Sequence, residues 1–170
     1  MHRLVMQPHL EEDVWRLRAA VEFASIPEVV TAPTIRRLID VVESDGRDGN
    51  RWSLGYVTAI WEWADESLDD LWERGQWLAA EADAIAANVR AALDVLHGLG
   101  IVHLDVAPNN VLRVDGDWKL ADLDLCVRRG SPVPQRRPAE RWIHPEREVC
   151  VPARDEFDWY GLDQIVQGPR

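Results

Sequence analysis

Asp105, Asn110 and Asp122 are the residues of this chain whose types and spacing best suit chemistry. Asp105 and Asn110 stand five positions apart in a stretch broken by Pro108. A short apolar run follows (Val111, Leu112, Val114), then the turn Asp115-Gly116-Asp117, then a second run (Trp118, Leu120) that leads to Asp122. An Asp-Gly turn between two apolar runs reads as a β-hairpin. A hairpin returns the chain on itself, so the Asp/Asn loop before it and the acidic loop after it can converge on one small space. Two carboxylates and an amide oxygen suit a hard cation such as Mg²⁺ that also holds phosphates.

The elements that must position these residues are legible on both sides. Leu10, Val14, Leu17 and Val21 recur at helical spacing, which predicts a helix over residues 9–25 that Pro27 closes. Residues 34–43 fit a helix or a strand by pattern alone. The turn-rich stretch S-D-G-R-D-G-N follows them, and an apolar, β-rich stretch runs from Trp52 to Trp63. We read Arg36–Glu43 and Ser53–Trp61 as a two-stranded hairpin. Ser67 suits the N-cap of a short helix with acids in its first turn. Residues 76–97 carry a wide apolar face and many alanines, so they form the main helix, ended by Gly98 and Gly100. Residues 128–141, rich in Arg and Pro, form a loop, and Phe157–Val166 a short apolar helix.

The composition bounds the rest. A chain of 170 residues with 46% apolar and 29% charged residues has enough material for one ordinary globular core. Its net charge of −11 argues against a nucleic-acid partner and against an anionic membrane surface. No apolar run is long enough for a transmembrane helix, and the N-terminus lacks a signal-like stretch. Cys126 and Cys150 make neither a disulfide framework nor a metal site, so both thiols are expected reduced, in cytosol or nucleus.

The acidic stretch resembles the catalytic segment of the protein kinases, whose catalytic loop reads H-R-D-x-x-x-x-N and whose metal loop reads D-F-G. Here His103-Leu104-Asp105 precedes Asn110 in register, and Asp122-Leu123-Asp124 follows. Trp142-Ile143-His144-Pro145-Glu146 is similar to the A-P-E motif. Asp158-Trp159-Tyr160-Gly161-Leu162 resembles the start of the buried helix after it, and residues 94–102 the end of the helix before the catalytic loop. Four motifs in order cover roughly residues 55–168.

The resemblance implies an α+β, kinase-like fold: a partial small β-lobe over residues 1–64, containing a regulatory helix, and a mainly helical large lobe over 65–170. It implies Asp105 and Asn110 as catalytic residues, and Asn110, Asp122 and Asp124 as ligands of Mg²⁺. It also implies a hinge at Glu62, Trp63 and Ala64 that, with Leu112, holds the adenine of ATP. The 128–141 loop would dock a protein or peptide substrate, with its Arg cluster accepting an acidic residue or a phosphate on Ser131. Blander roles stand beside these: Asp124 as a turn acid capping a backbone N–H, Trp63 as a strand-packing residue, the 128–141 stretch as a solvated basic loop, and Glu12 or Glu22 as a solvated surface acid. Glu12 and Glu22 are equal candidates for the helix glutamate, and His103 is expected beneath the loop as a structural residue.

The departures are as specific. The Arg of H-R-D is Leu104, the lysine two residues after the catalytic Asp is Ala107, and the Gly of D-F-G is Asp124. No G-x-G-x-x-G occurs, and the single lysine, Lys119, falls in the hairpin. The chain is short for a complete domain of this family, so it is expected to be a shortened kinase-like protein or a fragment of one. Three readings follow: an ATP- and Mg²⁺-dependent phosphotransferase acting on protein Ser/Thr hydroxyls, a pseudokinase that binds without turnover, or a small-molecule kinase of the aminoglycoside or choline type.

Overall fold

The computed structural model describes residues 11–44, 56–76, 79–133, 141–147 and 150–169. Helix α1 (Glu11–Ala24) turns Leu17, Ala20, Phe23 and Ala24 into the core at the expected helical spacing. Pro27 does not merely close that helix. It opens a second one, α2 (Pro27–Thr31), where a residue with fixed φ and no N–H is well tolerated in the first turn. Strands β1 (Leu38–Ser44) and β2 (Tyr56–Trp61) pair antiparallel, with Leu38 opposite Trp61 and Ser44 opposite Tyr56. The expected hairpin therefore exists, although the turn-rich stretch and Ser53 lie outside the described residues.

Arg36 was expected in the first strand of that hairpin and is not. Residues 34–36 pair instead with the far end of another hairpin: Leu120 N–H donates to Thr34 O and Arg36 N–H to Leu120 O. That second hairpin joins β5 (Val111–Val114) to β6 (Asp117–Leu120), Val111 opposite Leu120. Its turn residues Asp115 and Gly116 both have positive φ, 52° and 89°, the geometry that matches the twist of paired strands. A two-residue strand, β3 (Glu66–Ser67), extends this sheet beside β5. Ser67 then caps α3 (Leu68–Glu73), exchanging side-chain and backbone bonds with Asp70 in a capping box.

Helix α4 (Ala79–Gly98) buries Ile85, Val89, Ala92, Leu93 and Leu96 and forms the centre of the core. Gly100, at φ +70°, turns the chain into β4 (Ile101–Val102), which pairs with β7 (Val127–Arg128). Helix α5 (Glu156–Val166) packs on α4 and adds Leu162 and Ile165 to the same core. Helices and small antiparallel sheets together give the α+β class. A second, smaller apolar cluster gathers Val102, Leu104, Leu125, Val133, Ala153 and Phe157.

Helix α5 can approach the Asp105 loop only because residue 161 has no side chain. A Cβ there would lie 2.5 Å from the carbonyl oxygen of Val106 and 2.9 Å from its Cβ. Both atoms belong to a buried segment with little room to yield. Gly161→Ala is therefore expected to lower unfolding stability by about 1–3 kcal/mol, the usual cost of overpacking. Urea denaturation measures this; an unchanged midpoint would mean that the loop moves freely away from α5.

Candidate functional site

The loop after β4 is held from below by one buried carboxylate. Asp158, 1% exposed on α5, accepts the N–H of His103 at 2.8 Å and the N–H of Leu104 at 2.7 Å. Its Oδ2 also lies 2.8 Å from Nε2 of His97, at the end of α4. Leu104 needs this support, since its φ of +65° is unusual for a residue with a side chain. The Leu104 carbonyl accepts from Arg147, just beyond the H-P-E segment.

His103 is fully buried and bridges the two halves of the site. Its Nδ1 accepts the N–H of Asp105 at 3.1 Å, so the proton of the neutral ring belongs on Nε2. Nε2 sits 3.1 Å from the carbonyl of Ala121, the residue before Asp122. This is a structural role, with no lone pair left for proton abstraction.

Asp105 and Asn110 meet directly. Asn110 Nδ2 donates to Asp105 Oδ2 at 2.8 Å and to the Asp105 carbonyl at 2.9 Å. The Asn110 carbonyl accepts the N–H of Ala121 at 2.8 Å, which ties the loop to the outgoing end of β6. Asn109 donates to Asn110 Oδ1 at 2.9 Å. Asp122 follows with left-handed φ of 65° and an exposed side chain. When protonated, Asp124, partly buried in the next turn, donates to the Asp122 carboxylate. Burial above all, then the charge and hydrogen bond of Asp122 and the charge of Asp105, push the Asp124 carboxyl up to about 7. Arg16, on α1, opposes that rise. The hairpin thus brings together the pair Asp105–Asn110 and the pair Asp122–Asp124, close enough for their charges to interact.

The stretch Glu62, Trp63, Ala64 is fixed at both ends. Glu62 N–H donates to Arg37 O at 3.0 Å, and Glu62 O accepts from Arg36 Nε at 2.9 Å. Lys119 Nζ lies 2.8 Å from Glu62 Oε2. Burial works against the Glu62 carboxylate, but the bonds from Lys119 and the Arg37 backbone outweigh it and hold its pKa below the ordinary value. Asp65 N–H donates to Arg113 O on β5 at 2.8 Å. Trp63 is 59% exposed, Ala64 is buried, and Leu112 lies partly buried on β5.

Of the basic loop, residues 134–140 lie outside the described residues, and its flanks are zipped together. Ala153 N–H donates to Ser131 O at 2.8 Å, and Val133 N–H to Val151 O at 2.9 Å. Glu22, one candidate for the helix glutamate, is exposed; the side chain of Glu12 lies outside the description. Sequence reasoning missed Asp158, Arg16 and Arg36 as site residues. Asp158 alone carried a signal, as the first residue of the D-W-Y-G-L segment.

The raised carboxyl of Asp124 makes stability depend on pH. An unfolded aspartate titrates near about 3.9, so between about pH 4 and pH 7 the folded chain holds a proton that the unfolded chain has lost. Stability should therefore fall as pH rises through that window. In metal-free buffer, Asp124→Asn should raise the melting temperature at pH 8 and change it little at pH 4.5. Equal differences at the two pH values would show that the acid pair is not strained.

Comparison with known proteins places the geometry. Residues 9–167 match the protein kinase domain family. The human serine/threonine-protein kinase PAK 4 is 32% identical over 87 residues, 49% of this chain and 15% of that protein. Serine/threonine-protein kinase WAG1 of Arabidopsis thaliana is 52% identical over 44 residues, 25% of this chain and 9% of that protein. The human rhodopsin kinase GRK7 is 35% identical over 81 residues, 45% of this chain and 15% of that protein. In these relatives the matched segment is a small part of a much longer protein. With the family match spanning nearly all of its length, the chain belongs to the protein kinase domain family.

Proposed function

We propose that the site binds Mg-ATP and transfers its terminal phosphoryl group to a Ser or Thr hydroxyl of a protein. The observation that carries this reading is the meeting of Asp105–Asn110 with Asp122–Asp124 at the end of one hairpin. Phosphoryl transfer asks a protein chiefly for positioning and charge neutralisation. The Asp105 carboxylate, oriented by Asn110 Nδ2, would align the acceptor hydroxyl and take its proton. Glu62, Trp63, Ala64 and Leu112 would hold the adenine, and the 128–141 loop would dock the acceptor peptide. On this reading residues 1–64 and 65–170 serve as the two lobes of the cleft, working in cytosol or nucleus.

The donor set fits magnesium. Asp122 and Asp124 are hard oxygen donors, and burial of Asp124, then the charge of Asp122, holds its carboxyl near 7, a charge that a bound cation would offset. Among the described residues, no group of three or more His, Cys, Asp or Glu side chains is placed to hold a metal alone. That suits Mg²⁺, which commonly takes one or two carboxylates and completes its shell with phosphates and water. Asn110, Asp122 and Asp124 would hold it, and when bound it would neutralise charge on the phosphates.

A second reading, a pseudokinase that binds without turnover, is favoured by one feature. The only lysine of the sequence is committed to Glu62, and no Gly-rich loop occurs in the sequence. Losing one preorganised charge costs on the order of 10²–10³ in rate.

Calorimetry on the purified chain separates these outcomes from no site at all. Mg-ATP should bind only with magnesium present, and Asp122→Ala should weaken it by about tenfold or more. Asp105→Asn should retain binding and lose about 10²–10⁴ of any phosphoryl transfer. Binding without transfer by the wild type identifies the pseudokinase. A folded chain that binds no Mg-ATP removes both readings.

A further inference from the structure

A nucleoside triphosphate would bring several negative charges to a site already built from Asp105, Asp122 and Asp124. A metal ion offsets part of that charge, and a preorganised side-chain cation has to offset more. Lys119 is already spent: its Nζ lies 2.8 Å from Glu62 Oε2, with both side chains 15% exposed. The other basic side chains of this sequence are arginines and histidines, and the fold puts one arginine beside the acidic turn.

Arg36 precedes β1 and docks on the last residue of β6. Its N–H donates to the Leu120 carbonyl at 2.8 Å, two residues ahead of Asp122. Its Nε donates to the Glu62 carbonyl at 2.9 Å. The guanidinium therefore lies between the hinge and the acidic turn, the two ends of the span that a bound nucleotide would bridge. Its surroundings match. Burial disfavours its charge, while the charges of Glu62 and Asp122 favour it. Finally, Nη2 is buried with no hydrogen-bond partner among the described residues. A buried charged donor without an acceptor is costly and uncommon, and calls for an explanation. A phosphate oxygen supplies one when the guanidinium turns its closed Nη2 side toward the cleft. A guanidinium also stays charged at every relevant pH and presents a planar fork of donors that suits phosphate.

We propose that Arg36 is a phosphate-binding residue of the nucleotide cleft, giving the triphosphate the side-chain cation that Lys119 cannot. This rests on the nucleotide-binding reading above. The competing role is purely structural: an arginine that ties residues 34–36 to the hinge through the Glu62 carbonyl.

Calorimetry with Mg-ATP and with adenosine distinguishes the two roles, because adenosine reports the hinge without the phosphates. Arg36→Gln keeps an N–H donor for the Glu62 carbonyl and removes the charge. It should weaken Mg-ATP by about tenfold or more, the scale of a lost charge-assisted bond, and leave adenosine within about twofold. Arg36→Lys, which keeps the charge, should fall between wild type and Arg36→Gln for Mg-ATP. Unchanged Mg-ATP binding in Arg36→Gln, or equal losses for the two ligands, overturns the proposal and leaves the nucleotide site standing. A wild-type chain that binds neither ligand overturns both. If Arg36→Gln does not fold, ¹⁵N NMR of the wild-type guanidinium decides: Mg-ATP should shift the Arg36 resonance and adenosine should not. The same response to both ligands refutes phosphate contact.

Discussion

The carboxylate of Asp158 is the constraint on which the site is built. It sits at 1% exposure, where an ionised group is tolerated only if its oxygens are well bonded. Two backbone N–H groups and the His97 ring meet that requirement. Hydrogen bonds to a charged acceptor contribute about 1.5–3 kcal/mol each. A left-handed residue with a side chain costs about 1–3 kcal/mol. The bonds from Asp158 therefore suffice to hold Leu104 at φ +65°, and with it the direction in which Asp105 leaves the loop. Glycine at 161 lets the helix carrying Asp158 come within reach. From Asp158 the order passes through His103 to Ala121, and so to the acidic turn, without a gap in the hydrogen-bond chain.

Above that frame the electrostatics are one-sided. Asp105, Asp122 and Asp124 crowd together, and the protein answers with Arg16 from α1 and Arg36 from the segment before β1, rather than with lysine. Arginine suits a partly desolvated position, being more weakly hydrated than an ammonium and never losing its proton. The cost falls on reach, because both guanidiniums are delivered by elements that must first pack correctly elsewhere. The site's charge balance is thus coupled to how α1 and residues 34–36 sit on the large helical core.

What could be read in advance followed from local pattern. The Asp-Gly turn between apolar runs announced β5–β6, the alanine-rich apolar face announced α4, and Ser67 with Asp70 announced α3. The spacing of Asp105, Asn110 and Asp122 then placed the acids, since a two-residue turn leaves the hairpin little choice of register. The parts that were not legible depend on distant residues. The D-W-Y-G-L segment marked Asp158 as the start of a buried helix, but nothing local showed that its carboxylate would hold the Asp105 loop. Arg36 reads as the start of a strand until Leu120, far along the sequence, takes its backbone. Pro27 ends one helix and starts another, which propensity alone does not separate. Leu104 read as a lost arginine, and only the packing shows what the substitution gains.

That gain bears on how the basic loop is held. Leu104 packs with Val133 and Ala153, which stand on either side of the stretch between them, and with Phe157. The ion pairs nearby, Arg129 with Asp155 and Arg154 with Glu146, are partly or largely exposed and of the kind that contributes at most about 1 kcal/mol each. Beside the backbone bonds that join the flanks, their contact with Leu104 is apolar surface withdrawn from water. Such a contact is indifferent to ionic strength, entropic near room temperature, and weaker in the cold. Salt should therefore loosen the two described flanks, residues 131–133 and 150–153, less than cold does.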